Sequence, residues 1–135
     1  MENGSYTIQS ITTMGNDLSA AKNLLIDTAG AIAALATQPN ILGSLEANAE
    51  GAGVGLRINL TYAGTATCIV GGAGINPYAD VMVDAANVGK VITHVSGAAN
   101  VAVGRFLPEL TDGVPVAANS GDEITVHLYG TATIY

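Results

Sequence analysis

Aromatic residues are scarce in this chain: one phenylalanine, five tyrosines and no tryptophan make up 4% of its 135 residues. A core must therefore be assembled from Val, Ile, Leu and Ala, and oligomerisation is a common supplement to a core that thin. Basic residues are scarcer still. Lys22, Arg57, Lys90 and Arg105 are the full set, they are scattered, and the net charge is −7. No basic patch exists to neutralise phosphates, which argues against nucleic acid as a partner. Cys68 is the single cysteine, so no internal disulfide can form. No apolar run is long enough to span a bilayer, and Met1 to Ser10 lacks the basic start and apolar stretch of a signal peptide. The expectation is a soluble protein that is made and used without secretion and has no membrane partner. Charged residues reach only 11% while hydrophobic ones reach 49%, which leaves a neutral, small-residue surface suited to packing against other subunits, or simply one rich in alanine.

What the chain does have is a repeat. Arg57 to Ile69 reads RINLTYAGTATCI, and Ile124 to Tyr135 reads ITVHLYGTATIY. Both copies carry Gly-Thr-Ala-Thr, at Gly64 to Thr67 and Gly130 to Thr133, and both place aliphatic residues two apart before it, Ile58 and Leu60 against Ile124 and Val126. Upstream, Ile41-Leu42-Gly43-Ser44-Leu45 is echoed by Ala102-Val103-Gly104-Arg105-Phe106. Two related halves lying roughly 65 residues apart are implied. The period-two alternation predicts half-buried antiparallel strands with Ile58, Leu60, Ile124 and Val126 facing the core. A glycine inside each strand marks a bulge or a sharp bend.

Taken in order, Met1 to Ala21 is polar and reads as an N-terminal arm or a disordered terminus, with Tyr6, Ile8 and Ile11 able to alternate as a short strand. Residues 22–135 form one β domain. Within Lys22 to Thr37 the turn signal Asp27-Thr28-Ala29-Gly30 favours a hairpin, Asn23 to Ile26 against Ala31 to Leu35, over a helix that would carry Gly30 in its interior at a cost of about 1 kcal/mol. Gly51-Ala-Gly53-Val-Gly55 precedes a strand and has no Lys-Ser/Thr, so it reads as a turn in preference to a phosphate loop. Gly71 to Tyr78 and Pro108 to Val116 read as loops, and Asn119 to Asp122 as the last turn before the closing strand. Short strands punctuated this way predict an all-β fold, a small antiparallel β-barrel or sandwich with an extended N-terminal arm.

No constellation for catalysis emerges. His94 and His127 lie on predicted strands, far apart and without further ligands at metal-binding spacing. Cys68 reads as a small buried hydrophobe. Asp80 and Asp84 bracket Val81-Met82-Val83 on one strand face, as an acid–base pair would, but aspartates at strand ends more often form turns. A non-enzymatic protein with no metal or cofactor is expected.

The hydrophobic-Gly step, the strand ending near a Gly, Val81-Met82-Val83-Asp84-Ala85 followed by Gly89-Lys90-Val91, then Val103-Gly104-Arg105-Phe106-Leu107, and Ala117 to Gly121 leading into Ile124-Thr-Val126-His-Leu128 together resemble the small β-barrel decoration, or cement, proteins of tailed-bacteriophage capsids. The resemblance covers roughly Asn23 to Leu128. It implies a structural virion protein on the outer surface of the assembled capsid, a homotrimer whose partner is the major capsid protein and which bridges neighbouring capsid subunits. Met1 to Ala21 is longer than the corresponding segment of shorter members. Tyr6, Ile8, Ile11 and Met14 are its candidate contacts to the capsid or a neighbour, through addition of a strand. A glycan-binding or host-attachment β-module, or another virion subunit such as a tail protein, is the alternative; Tyr62, Tyr78 and Tyr129 are the tyrosines on which a sugar would stack.

Overall fold

The computed structural model describes residues 6–12, 18, 20–27, 30–37, 41–45, 57–97 and 99–134. Every regular element among them is a strand: β1 (Tyr6–Thr12), β2 (Leu25–Asp27), β3 (Ile41–Leu45), β4 (Arg57–Ile69), β5 (Asp80–Val83), β6 (Val91–Thr93), β7 (Val101–Leu107), β8 (Leu110–Thr111), β9 (Val114–Pro115) and β10 (Glu123–Ile134). All ladders are antiparallel. The main sheet runs β2-β3-β4-β10-β7-β5-β6, with β1 added to β4, and β8 and β9 form a separate hairpin. The all-β expectation is met. The sheet does not close into a barrel, because the strands at its ends, β2 and β6, have three residues each and form no ladder with one another. Gly89, in the turn before β6, instead meets the β2 hairpin through single hydrogen bonds, from Leu25 N to Gly89 O (2.9 Å) and from Gly89 N to Ala33 O (2.7 Å).

The sequence repeat reappears in the strand pairing. β4 and β10 are neighbours, and Ala63 faces Tyr129, its own counterpart in the repeat. That register is the one two copies take when they pair about a local two-fold. On one side Ser44 faces Thr61 and Leu45 faces Leu60; on the other Arg105 faces His127 and Phe106 faces Val126. These are the positions the two sequence copies equate. The match extends one strand further, since Leu25 and Ile26 face Ser44 and Gly43, while Asp80 and Val81 face Arg105 and Gly104. Both repeat glycines sit at irregularities, as a glycine within a strand suggests. Gly64 has φ +84°, and around Gly130 the pairing of β10 with β7 slips between Leu128 and Thr133.

The hairpin expected after Lys22 is present. Asp27 N donates to Ala31 O (2.8 Å) and Ala33 N to Leu25 O (2.9 Å). The buried Asp27 carboxylate also accepts from Ala31 N (3.1 Å), closing the turn that Gly30 completes at φ +77°.

Successive residues of β2 enter different parts of the core, because neighbouring side chains on a strand point to opposite faces. Leu25 joins Val81, Val83, Val103, Phe106, Ile124 and Val126. Ile26 joins Leu18, Ala21, Leu24, Leu45 and Leu60. The sheet is thus packed on both faces at this edge, and the outer layer comes from the stretch read as an arm: Leu18 and Ala21 are fully buried. Of the four residues expected to face the core, Leu60, Ile124 and Val126 are buried, with Leu60 in the smaller cluster; the side chain of Ile58 lies outside the described residues.

Candidate interaction surface

The ionisable residues that sequence singles out do not converge on a reaction centre. Asp84 is buried and builds turns, accepting from Gly72 N (2.8 Å), Ala86 N (3.0 Å) and Asn87 Nδ2 (2.9 Å). Burial pushes its carboxyl up, but these hydrogen bonds outweigh burial and hold it below the usual carboxylate range. Asp80 makes a different set of contacts. Its Oδ1 accepts from Tyr129 Oη (2.6 Å) and from Arg105 Nε (3.3 Å), and this surface pair joins β5, β7 and β10. His94 lies 3.3 Å from Asn100 O through Nε2, and His127 stands edge-on to Tyr129, with ring centroids 6.2 Å apart. Burial pushes the Cys68 thiol up to about 12, against the lowering effect of Ser44, so it packs as a hydrophobe and not as a nucleophile. Among the described residues no three His, Cys, Asp or Glu side chains are placed to hold a metal ion.

The surface is more informative. Pro108 to Val116, expected to be a loop, contains the β8–β9 hairpin, with Leu110 facing Pro115 and Thr111 facing Val114. Its two-residue turn has φ +52° at Asp112 and +78° at Gly113, the mirror-image geometry that fits the twist of a two-residue hairpin. Asp-Gly between Thr and Val is the sequence signal for this turn, and it was legible; the two prolines obscured it, although Pro115 sits on an edge where no donor is needed. Val116 N donates to Glu109 O (3.0 Å) and closes the hairpin base. Leu110 is 61% exposed, Val114 63% and Val116 43%. Leu35, Tyr78, Val88 and Val95 are exposed elsewhere. A cleft of about 400 Å³ lies at the hairpin base, lined by Phe106, Leu107, Glu109, Val116 and Ile124 among others. A second, of about 420 Å³, is lined by Lys22, Asn23, Ser44, Thr67, Glu123 and Thr125 among others. Among the described residues neither cleft has a tyrosine in its wall.

Of the candidate contact residues, Tyr6, Ile8 and Ile11 fall on β1, facing Ala63, Leu60 and Ile58 of β4; Met14 lies outside the described residues. The strand suggested by Tyr6, Ile8 and Ile11 is therefore formed, and in this chain it pairs with the protein's own sheet. No protein-family model, curated protein or solved structure matches the chain.

Proposed function

We propose that this chain is a structural virion protein that binds the outside of an assembled phage capsid as a homotrimer and stabilises it by bridging neighbouring major capsid subunits. The observation that carries the reading is the exposure of large aliphatic side chains, Leu35, Val88, Val95, Leu110, Val114 and Val116, on an all-β body with few charges. Side chains of that size left in water add nothing to folding, and a protein surface that covers them gains roughly 25 cal/mol for each Å² of apolar area removed from water. A ligand that binds only the assembled lattice stabilises it by RT ln(1 + [L]/Kd), about 4 kcal/mol at a thousandfold excess over Kd. Many such sites on one shell resist outward pressure without any chemistry. The net charge of −7 fits a position on the outside, away from packaged nucleic acid.

The test is the composition of purified particles and the behaviour of heads assembled without the protein. Copies approaching the number of shell subunits, together with a raised disruption temperature on adding the protein back, are expected. A handful of copies per particle would point to a tail component, and heads whose stability is unchanged by saturating protein would overturn the reading.

A further inference from the structure

The β8–β9 hairpin presents large exposed apolar side chains on both of its faces. Residues paired across a ladder share a face and neighbours along a strand alternate, so Leu110 and Pro115 lie on one side, and Val114 and Val116, with Thr111 and Glu109, on the other. A hairpin that rests flat on a partner covers one face and leaves the other in water. Apolar residues on both faces suit a hairpin that is inserted, with walls on each side. The element is also pre-organised for insertion: the Asp112-Gly113 turn, the fixed φ of Pro115 and the Val116 N to Glu109 O bond set its shape in the free chain, which lowers the ordering cost on binding. The charges at its base and tip are Glu109 and Asp112, and Asp122 and Glu123 follow at the start of β10; all four are exposed. With four basic residues in the whole chain, a second copy is a poor match for so acidic a collar.

We infer that the β8–β9 hairpin is a plug that inserts into an apolar groove rimmed by Lys and Arg on the major shell subunit, with Leu110 and Val114 contacting opposite walls. This rests on the capsid reading above and adds to it the element, the partner chemistry and the mode of contact. The experiment is pelleting of the full-length protein, wild type and the single variants Leu110→Ser and Val114→Ser, with heads assembled without it, at low and high salt. Both side chains are exposed, so thermal melts of the free variants should match wild type and separate loss of binding from loss of folding. Each variant should weaken binding by about tenfold, and wild-type binding should weaken as salt rises. If one variant loses affinity and the other does not, the hairpin lies flat and insertion is overturned. If both bind as wild type, the plug is overturned while the capsid reading stands. Salt-independent binding overturns the basic rim. If wild type itself does not pellet with heads, the capsid reading fails, and the plug's partner fails with it.

Discussion

Asp84 ties together two turns, the Gly71 to Gly74 approach and the Asp84 to Gly89 turn, by accepting from Gly72 N, Ala86 N and Asn87 Nδ2. Its carboxyl, raised by burial but lowered further by three donors, has a folded pKa below its unfolded value. The stability it contributes is therefore fully present above the unfolded pKa of about 4 and is lost as pH falls through the folded value. Asp84→Asn replaces one accepting oxygen with a donor that faces other donors, and should cost about 1 to 3 kcal/mol at neutral pH. The gap between variant and wild type should narrow in acid. Urea melts at pH 7 and below pH 3 measure both, and equal losses at the two pH values would mean that charge plays no part. Gly104 poses a steric question instead. A Cβ there would sit 2.5 Å from His127 O and 2.7 Å from Val126 Cγ1, and the first of these is backbone of the neighbouring central strand, which has little freedom to yield. Gly104→Ala should destabilise by about 1 to 3 kcal/mol, while Thr125→Ala, exposed on β10, should stay within about 0.5 kcal/mol. Equal melting temperatures for the two variants would show that β7 and β10 separate more easily than their register suggests.

Strand alternation and turn residues made β4, β10 and the Asp27 hairpin legible, because each is specified by local chemistry. The pairing of β4 with β10 was legible only as a repeat, and the outer correspondence of β2 with β5 was not, since Leu25-Ile26 and Asp80-Val81 take equivalent partners, Ser44-Gly43 and Arg105-Gly104, but share no residue pattern, and Leu25 is buried where Asp80 is half-buried. Closure failed to follow from strand count because it depends on the length of the end strands, β2 and β6, which turn residues bound only loosely. The burial of Leu18 and Ala21, at the C-terminal end of the arm, was not legible for a related reason. Leu18 and Ala21 are isolated apolar residues in polar sequence, and they become core only because Leu24, Ile26, Leu45 and Leu60 face them. Removing Met1 to Thr12 takes away β1 but leaves the outer cluster, whereas removing Met1 to Ala21 also deletes two fully buried side chains. The shorter truncation should keep a cooperative melt close to wild type, and the longer one should lose several kcal/mol, as large-to-small changes in cores of this kind do at about 2 to 5 kcal/mol for a leucine. Identical melts for the two truncations would remove Leu18 from the core. If both bind heads as wild type, contact through Tyr6, Ile8, Ile11 and Met14 is ruled out.

A homotrimer of this chain and its contact with a capsid should respond to salt in opposite directions, which gives a way to tell the two interfaces apart. Each copy carries −7 with only four basic side chains, so bringing three together in solution concentrates negative charge, and attraction has to come from neutral and apolar surface such as Leu35, Val88 and Val95. At about 0.01 M salt the Debye length is roughly 30 Å, longer than the separation of neighbouring subunit surfaces, and at about 0.1 M it is roughly 10 Å. Repulsion between copies therefore fades as salt is added, while the apolar contribution persists or strengthens. Sedimentation velocity at low salt should show dissociation on dilution, and the same protein at a few tenths molar salt should sediment as a trimer. The proposed contact between the acidic hairpin and a basic groove on the shell would have the other sign and should be tightest where the proposed trimer is weakest. A chain that remains monomeric at every salt concentration, or a trimer that falls apart as salt rises, would move the apolar side chains out of the subunit interface and leave the capsid as the surface that covers them.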